Sequence, residues 1–296
     1  MPRSFVVPLA AALVVIIAGQ SWAQRYNPYD HAPASLPPVA ADGTIQWGTF
    51  FKSAQLQRSY EYMWNMGHCR GTNKAITETV ENNRLLIDRL PEGDHAGVVQ
   101  AASGGRAGGV VAFTDRAAGG EAAPFFAQLH PAGVSHLKVK GVATSAALQP
   151  GMAVWMRAAV DERGRAAEPL RALTIVTPAA DFTPQAVQPG RSEPIVATVV
   201  SFKSRVLIVR VDAGRVRRLT FTLAEDAVVS VDAARLDLIS PGDAIEVKGR
   251  LWSGEGTAGA GTIFASHVTV TKRPPARPAT REVAAGAGAA PGPAVE

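Results

Sequence analysis

The chain has a single cysteine, Cys69. One thiol closes no internal disulfide and builds no thiolate cluster, so a disulfide-stapled fold and a Cys-based zinc site are both excluded. The six histidines, His31, His68, His95, His130, His136 and His267, show no HxH, HExxH or other paired metal spacing. His68 beside Cys69 offers two soft ligands, too few for a site. No metal and no cofactor are therefore expected. No GxSxG elbow occurs, and no Ser or Cys has a partner at motif spacing, so no catalytic residue is nominated and the chain reads as non-enzymatic. Catalytic groups do converge from distant positions in some enzymes, which leaves a hydrolase assembled between two domains as an alternative. Aromatic residues make up only 6 % of the chain. The net charge is +5, yet acidic and basic residues are interleaved with no run of Lys or Arg. A polyanion footprint needs clustered charge, so nucleic acid is not an expected partner.

What is present begins with a leader. Arg3 precedes the apolar run FVVPLAAALVVII, and Ser21 and Ala23 occupy the small-residue positions of a cleavage site. This is the pattern of a secretory signal peptide over residues 1–23, cleaved after Ala23. The run falls short of the ~20 residues of a spanning helix, and Pro8 interrupts it. No second long apolar run follows, so the mature chain is expected to be secreted or periplasmic without a stable membrane span. Residues 24–45 are rich in Pro, Ala and Asp and read as an extended linker. Residues 274–296 are Pro, Ala and Gly with almost no large apolar side chains, the composition of a disordered tail.

Residues 46–92 predict an α-helical hairpin. In FFKSAQLQRSYEYMWNM, Leu56, Tyr60, Met63 and Trp64 share one face. In KAITETVENNRLLIDRL, Ile76, Val80, Leu86, Ile87 and Leu90 do the same, with Pro91 closing the end. Trp47, Phe50, Phe51, Tyr60, Tyr62 and Trp64 concentrate the aromatics here. They read either as the packing of this hairpin onto its neighbour or as a surface for a partner or a saccharide.

The remainder is a repeat. LISPGDAIEVKGRL at 238–251 has a fainter copy, ALQPGMAVWMRAAV, at 147–160. Pro150-Gly151 and Pro241-Gly242 are turns, because Pro presets φ and Gly accepts the positive φ of a type II turn. After each turn comes a strand of period two. Its inward set is Val154, Met156, Ala158 and Val160 in one copy, and Ile245, Val247, Gly249 and Leu251 in the other. The small residue shared at Ala158 and Gly249 marks a bend. Two units of five or six short strands result, 96–178 and 193–273, each suiting a small Greek-key barrel or sandwich. Gly254, Gly256 and Gly259 spell GxGxxG, but a strand follows where a dinucleotide site needs a helix, so this is a hairpin loop.

The order of strand, hairpin, V-x-V-D, L-x-x-x-PGD-x-I-x-V-x-G and a closing A-x-x-V-x-V resembles a family of bacterial secreted domains of unknown function, DUF5666, whose fold is an OB-like β-barrel. Val229, Val231, Asp232, Leu238, Pro241, Gly242, Asp243, Ile245, Val247, Gly249, Ala265, Val268 and Val270 carry the resemblance. It covers the second copy; the first departs, with Met152 in place of the Asp and Ala158 in place of the Gly. The resemblance implies two tandem OB-like barrels, mainly β, and no activity. The expected function is a non-enzymatic binding or scaffolding protein of the cell envelope, with an envelope protein or glycan as partner. An oligosaccharide- or oligonucleotide-binding OB module is the alternative. Candidate binding residues are Trp155, Trp252, Tyr60, Tyr62 and Trp64. Period two sends Trp155 outward, where an indole needs cover, and the helical hairpin is the expected cover.

Overall fold

A computed structural model describes residues 39–48, 50–67, 84–85, 87–105, 108–115, 124–252 and 259–274. The signal peptide, His31, His68, Cys69, most of the linker and all but the first residue of the tail lie outside them. The molecule is mainly β. Its large sheet contains β3 (Glu92–Gly105), β4 (Gly108–Asp115), β5 (Phe125–Leu129), β6 (His136–Ala143), β7 (Ala153–Ala158), β8 (Leu170–Val176), β9 (Glu193–Lys203), β10 (Val206–Arg210), β11 (Arg218–Ala233), β12 (Ala244–Leu251) and β13 (Thr262–Thr271). Among the described residues no helix is long and apolar enough to cross a membrane.

The sheet closes on itself twice. β3, β4, β5, β13 and β12 form one ring of hydrogen-bonded neighbours, and β9, β10, β11, β8 and β7 form a second. In each ring a single pair is parallel, β5 with β13 and β8 with β11. The expected boundaries at 96–178 and 193–273 are therefore repeats of sequence but not barrels. The last hairpin of the first copy, β7–β8, closes the ring of the second, and β12–β13 of the second closes the ring of the first. β6 links the rings, antiparallel to β11 on one side and parallel to β13 on the other. Val139 opposite Ala233 and Gly141 opposite Val231 flank Lys140 opposite Asp232, so equivalent strands of the two copies pair about a local twofold.

The two Pro-Gly turns are built alike and both anchor this exchange. Gly151 and Gly242 have φ of 85° and 89°, as a type II turn requires. The Gly151 N–H donates to Val199 O, and the Val199 N–H returns the bond to Met152 O. The Gly242 N–H donates to Val99 O, and the Val99 N–H returns it to Asp243 O. Each turn thus binds the first strand of the other copy.

Alternation explains the core. Leu219, Phe221, Leu223, Val229, Val231 and Ala233 on β11 are buried, as are Ile245 and Val247 on β12, while Glu246 and Lys248 face out. Each such large apolar side chain contributes roughly 1.5–3 kcal/mol on leaving water. The register shifts between Lys248 and Gly249, where β12 bends against β13. A Cβ on Gly249 would stand 2.5 Å from Phe264 O and 2.9 Å from Ala265 Cα. Gly249→Val is expected to lower stability by about 1–3 kcal/mol through overpacking. Unchanged thermal unfolding of the full chain would show that the bend tolerates a side chain.

The helical hairpin is corrected. Its first half is present as α1 (Ala54–Asn65). Ser53 caps it, its Oγ accepting from the Leu56 N–H at 3.2 Å. The described end of the expected second helix is instead β2 (Arg84–Leu85) and a 3-10 turn at Ile87–Arg89. β2 pairs antiparallel with β1 (Phe50–Phe51), two residues read as helical. Strand pairing and the burial of Ile87 override the 3.6-residue spacing there. Residues 68–83 lie outside the described residues.

Candidate functional site

The aromatic segment lies on the outside of the first barrel. Phe264 on β13 points out of the ring, and Trp47 and Phe50 cover it with ring centroids 5.4 and 5.5 Å away. Ile45, Ile87, Val134 and Trp252 complete that patch. Trp252 is therefore not the exposed platform expected of it. It is half-buried in this patch, and its Nε1 is enclosed without a hydrogen-bond partner. Tyr60 is also corrected: it is buried against Phe51 at 5.2 Å. Tyr62, on the other face of α1, is 66 % exposed. Trp64 lies on α1, and its side chain is outside the described ones. Trp155 faces out as period two requires, but the expected cover is missing, since it is 42 % exposed and the aromatic segment packs on Phe264 instead. Its register neighbours are Thr174 and Val196, so no second aromatic flanks it on an adjacent strand.

A cleft of about 580 Å³ between the two rings brings side chains of both copies together. Leu129 and His130 at the end of β5, Leu137 on β6, and Ala153, Gly151 and Val176 of the exchanged hairpin line it, with Arg235, Leu236 and Asp237 across from them. Of the turn and bend residues singled out in the sequence, only Gly151 reaches this cleft. Pro150, Pro241, Gly242 and Gly249 do not line it.

Its polar groups are engaged with one another. His130 Nδ1 accepts from the Ala132 N–H at 3.0 Å, which makes Nε2 the protonated nitrogen, and Nε2 donates to Gln46 O at 3.1 Å. Ser135 Oγ donates to Ala265 O at 2.8 Å and accepts from the His130 N–H at 2.7 Å. Arg235 grips Asp237 through Nε and Nη2 at 2.9 and 2.5 Å. That hydrogen bonding holds the Asp237 carboxyl below its usual range and raises Arg235. Thr177 Oγ1 accepts from the Ala234 N–H at 2.9 Å. The cleft presents no activated nucleophile and no poised base among the described residues. Nor do the described residues gather three or more His, Cys, Asp or Glu side chains as a metal centre.

Sequence reading missed His130, whose role depends on contacts 84 residues away in the chain. Burial pushes its pKa down to about 4. A histidine depressed in the folded state binds fewer protons there than in the unfolded chain. Its contribution is present above the unfolded value near 6.5 and is lost as pH falls from there towards 4. The expected loss is on the order of 2–3 kcal/mol. Comparing chemical unfolding of the wild type and His130→Gln from pH 7 to pH 4 measures it. Equal pH slopes would assign the acid sensitivity to other groups.

No family model, no curated protein and no solved structure matches this chain.

Proposed function

We propose that this chain is a secreted, non-enzymatic binding or scaffolding protein of the cell envelope, built on two OB-like barrels related to DUF5666, with its ligand in the cleft between them. The carrying observation is the cleft itself. At about 580 Å³ it has the size of a small-ligand site, while its histidine, serine and Arg–Asp pair are already committed to each other or to the backbone. The ring order supports the OB-like reading, with five strands closing as a Greek-key barrel. The leader sequence supports the compartment.

Affinity capture from envelope extract, followed by mass spectrometry and glycan analysis, tests the proposal. Wild type and Ala153→Phe are compared, because a Phe at 153 fills the cleft without entering the core. Ligand retained by the wild type and lost by the variant, at equal thermal stability, is the expected outcome. Equal capture by both would remove the cleft as the site. The oligosaccharide reading has one observation in its favour, the exposed indole of Trp155. Capture lost in Trp155→Ala and kept in Ala153→Phe would move the site to that face, with a glycan as ligand.

A further inference from the structure

The outer face of the first barrel carries a second pocket, of about 220 Å³. His136 on β6 and His267 on β13 stand in it as register partners on parallel strands. Their rings stack with centroids 4.6 Å apart and 22° between planes. Strands at one register lie about 4.8 Å apart, so paired histidines there point at one volume. His267 Nδ1 lies 3.2 Å from Ser266 Oγ, and that hydroxyl lies 2.5 Å from Glu92 Oε1. The Ser266–Glu92 pair engages Nδ1 of His267, which leaves Nε2 as the nitrogen available to an ion. Outer-shell hydrogen bonds of this kind orient a ligating imidazole and fix its tautomer. Asp42, in the turn at residues 40–44, lines the same pocket, its Oδ1 accepting from the Thr44 N–H at 2.9 Å.

We propose that His136 and His267 form a two-imidazole site for a borderline divalent transition ion of the zinc, copper or nickel class, completed by water. Imidazole selects these ions over calcium and magnesium, which take oxygen ligands. Binding one ion would require the stacked rings to rotate about their side-chain bonds so that one nitrogen of each converges on it. Lys248, the register partner of His267 on β12, and Arg250, which donates to Ile87 O, also line the pocket and oppose a cation; Glu92, 3.7 Å from Lys248 Nζ, and Asp42 offset that charge. With no third protein ligand already in place, the ion keeps exchangeable positions.

The test is calorimetric titration of the full chain, carrying no affinity tag, with Zn²⁺ and separately with Cu²⁺, alongside imidazole NMR. One saturable ion per chain is expected, shifting the ring resonances of His136 and His267. His136→Ala and His267→Ala should each weaken it roughly tenfold or more, as loss of a direct ligand does at least what loss of an outer-shell partner does. Both side chains are exposed, so neither variant opens the core. Ser266→Ala should weaken binding less, and His95→Ala should leave it unchanged. The proposal is overturned if the wild type binds neither ion saturably. It is equally overturned if affinity and NMR shifts survive in the double variant His136→Ala/His267→Ala, which would place any binding at other histidines or Cys69.

Discussion

Cutting the chain in the connection between β8 and β9 leaves the two halves bound to each other. The connection exposes Asp181, Phe182 and Thr183, so a protease recognition sequence inserted between Phe182 and Thr183 is accessible and touches no strand. After cleavage, the N-terminal half holds β3 to β8 and the C-terminal half holds β9 to β13. Six strand pairings cross between them: β7 with β9, β8 with β11, β6 with β11, β12 with β3, β13 with β5 and β13 with β6. Neither half retains a closed ring. Separation would open both barrels and expose their inward rows, Val154, Met156, Leu173 and Ile175 from one half and Ile245, Val247, Val268 and Val270 from the other. At roughly 1.5–3 kcal/mol for each large side chain, no thermal fluctuation does that. Size-exclusion chromatography should give one peak at the intact mass with two bands on a denaturing gel. Two native peaks, each a folded half, would mean that each copy closes on itself and that the exchange is wrong.

The exchange marks where the sequence stops being legible. Period-two alternation in AIEVKGRL and AVWMRA says which side chains turn inward, and they do. It does not say into which ring, because a hairpin that fits its own copy fits the other equally well. What commits the chain is the central pairing of β6 with β11, a contact between residues some 90 positions apart with no local signature. The same holds for His130 and Gln46, and for His136 and His267, which become neighbours only when β13 lies beside β6. The described end of the expected second helix departs from its reading for a different reason. Ile87 and Leu90 do recur at helical spacing, but Arg84–Leu85 pair with Phe50–Phe51, and Ile87 is buried in the patch around the outward Phe264. Phe264 was the available signal. It breaks the alternation of TIFASHVTVT, with Ile263, Phe264 and Ala265 all buried, and a large aromatic on the solvent side of a strand needs a cover. The N-terminal aromatics are that cover.

The buried ion pair of the second copy should prove the costliest single position to disturb. Asp243 is 2 % exposed and follows the Pro241-Gly242 turn. Its Oδ1 accepts from the Arg273 N–H at 2.9 Å, and its Oδ2 accepts from the Ser240 N–H at 2.9 Å and from Lys272 Nζ at 2.8 Å. The same ammonium donates to Leu238 O at 2.7 Å and to Ser240 Oγ at 3.1 Å. One carboxylate thus ties the turn, the closing strand and the loop before them together. The first copy carries no charge there, with Met152 buried in the core at the Asp position and Thr177 where Lys272 stands, its Oγ1 accepting from the Ala234 N–H. Asp243→Ala leaves a nearly buried ammonium without its counter-charge and two N–H groups without an acceptor. The expected cost is about 3–5 kcal/mol, a fall of roughly 10 °C in midpoint for a domain of this size. Lys272→Met leaves Asp243 its two backbone donors and should cost less. Asp243→Met/Lys272→Thr restores the chemistry of the first copy and should be less destabilising than Asp243→Ala alone, because no unpaired charge remains. Thermal and urea unfolding of Asp243→Met, Lys272→Thr and their double variant gives the coupling energy directly. If the double variant is as unstable as the sum of its singles, the pair is not coupled, and the turn is held by its backbone bonds to Val99 instead.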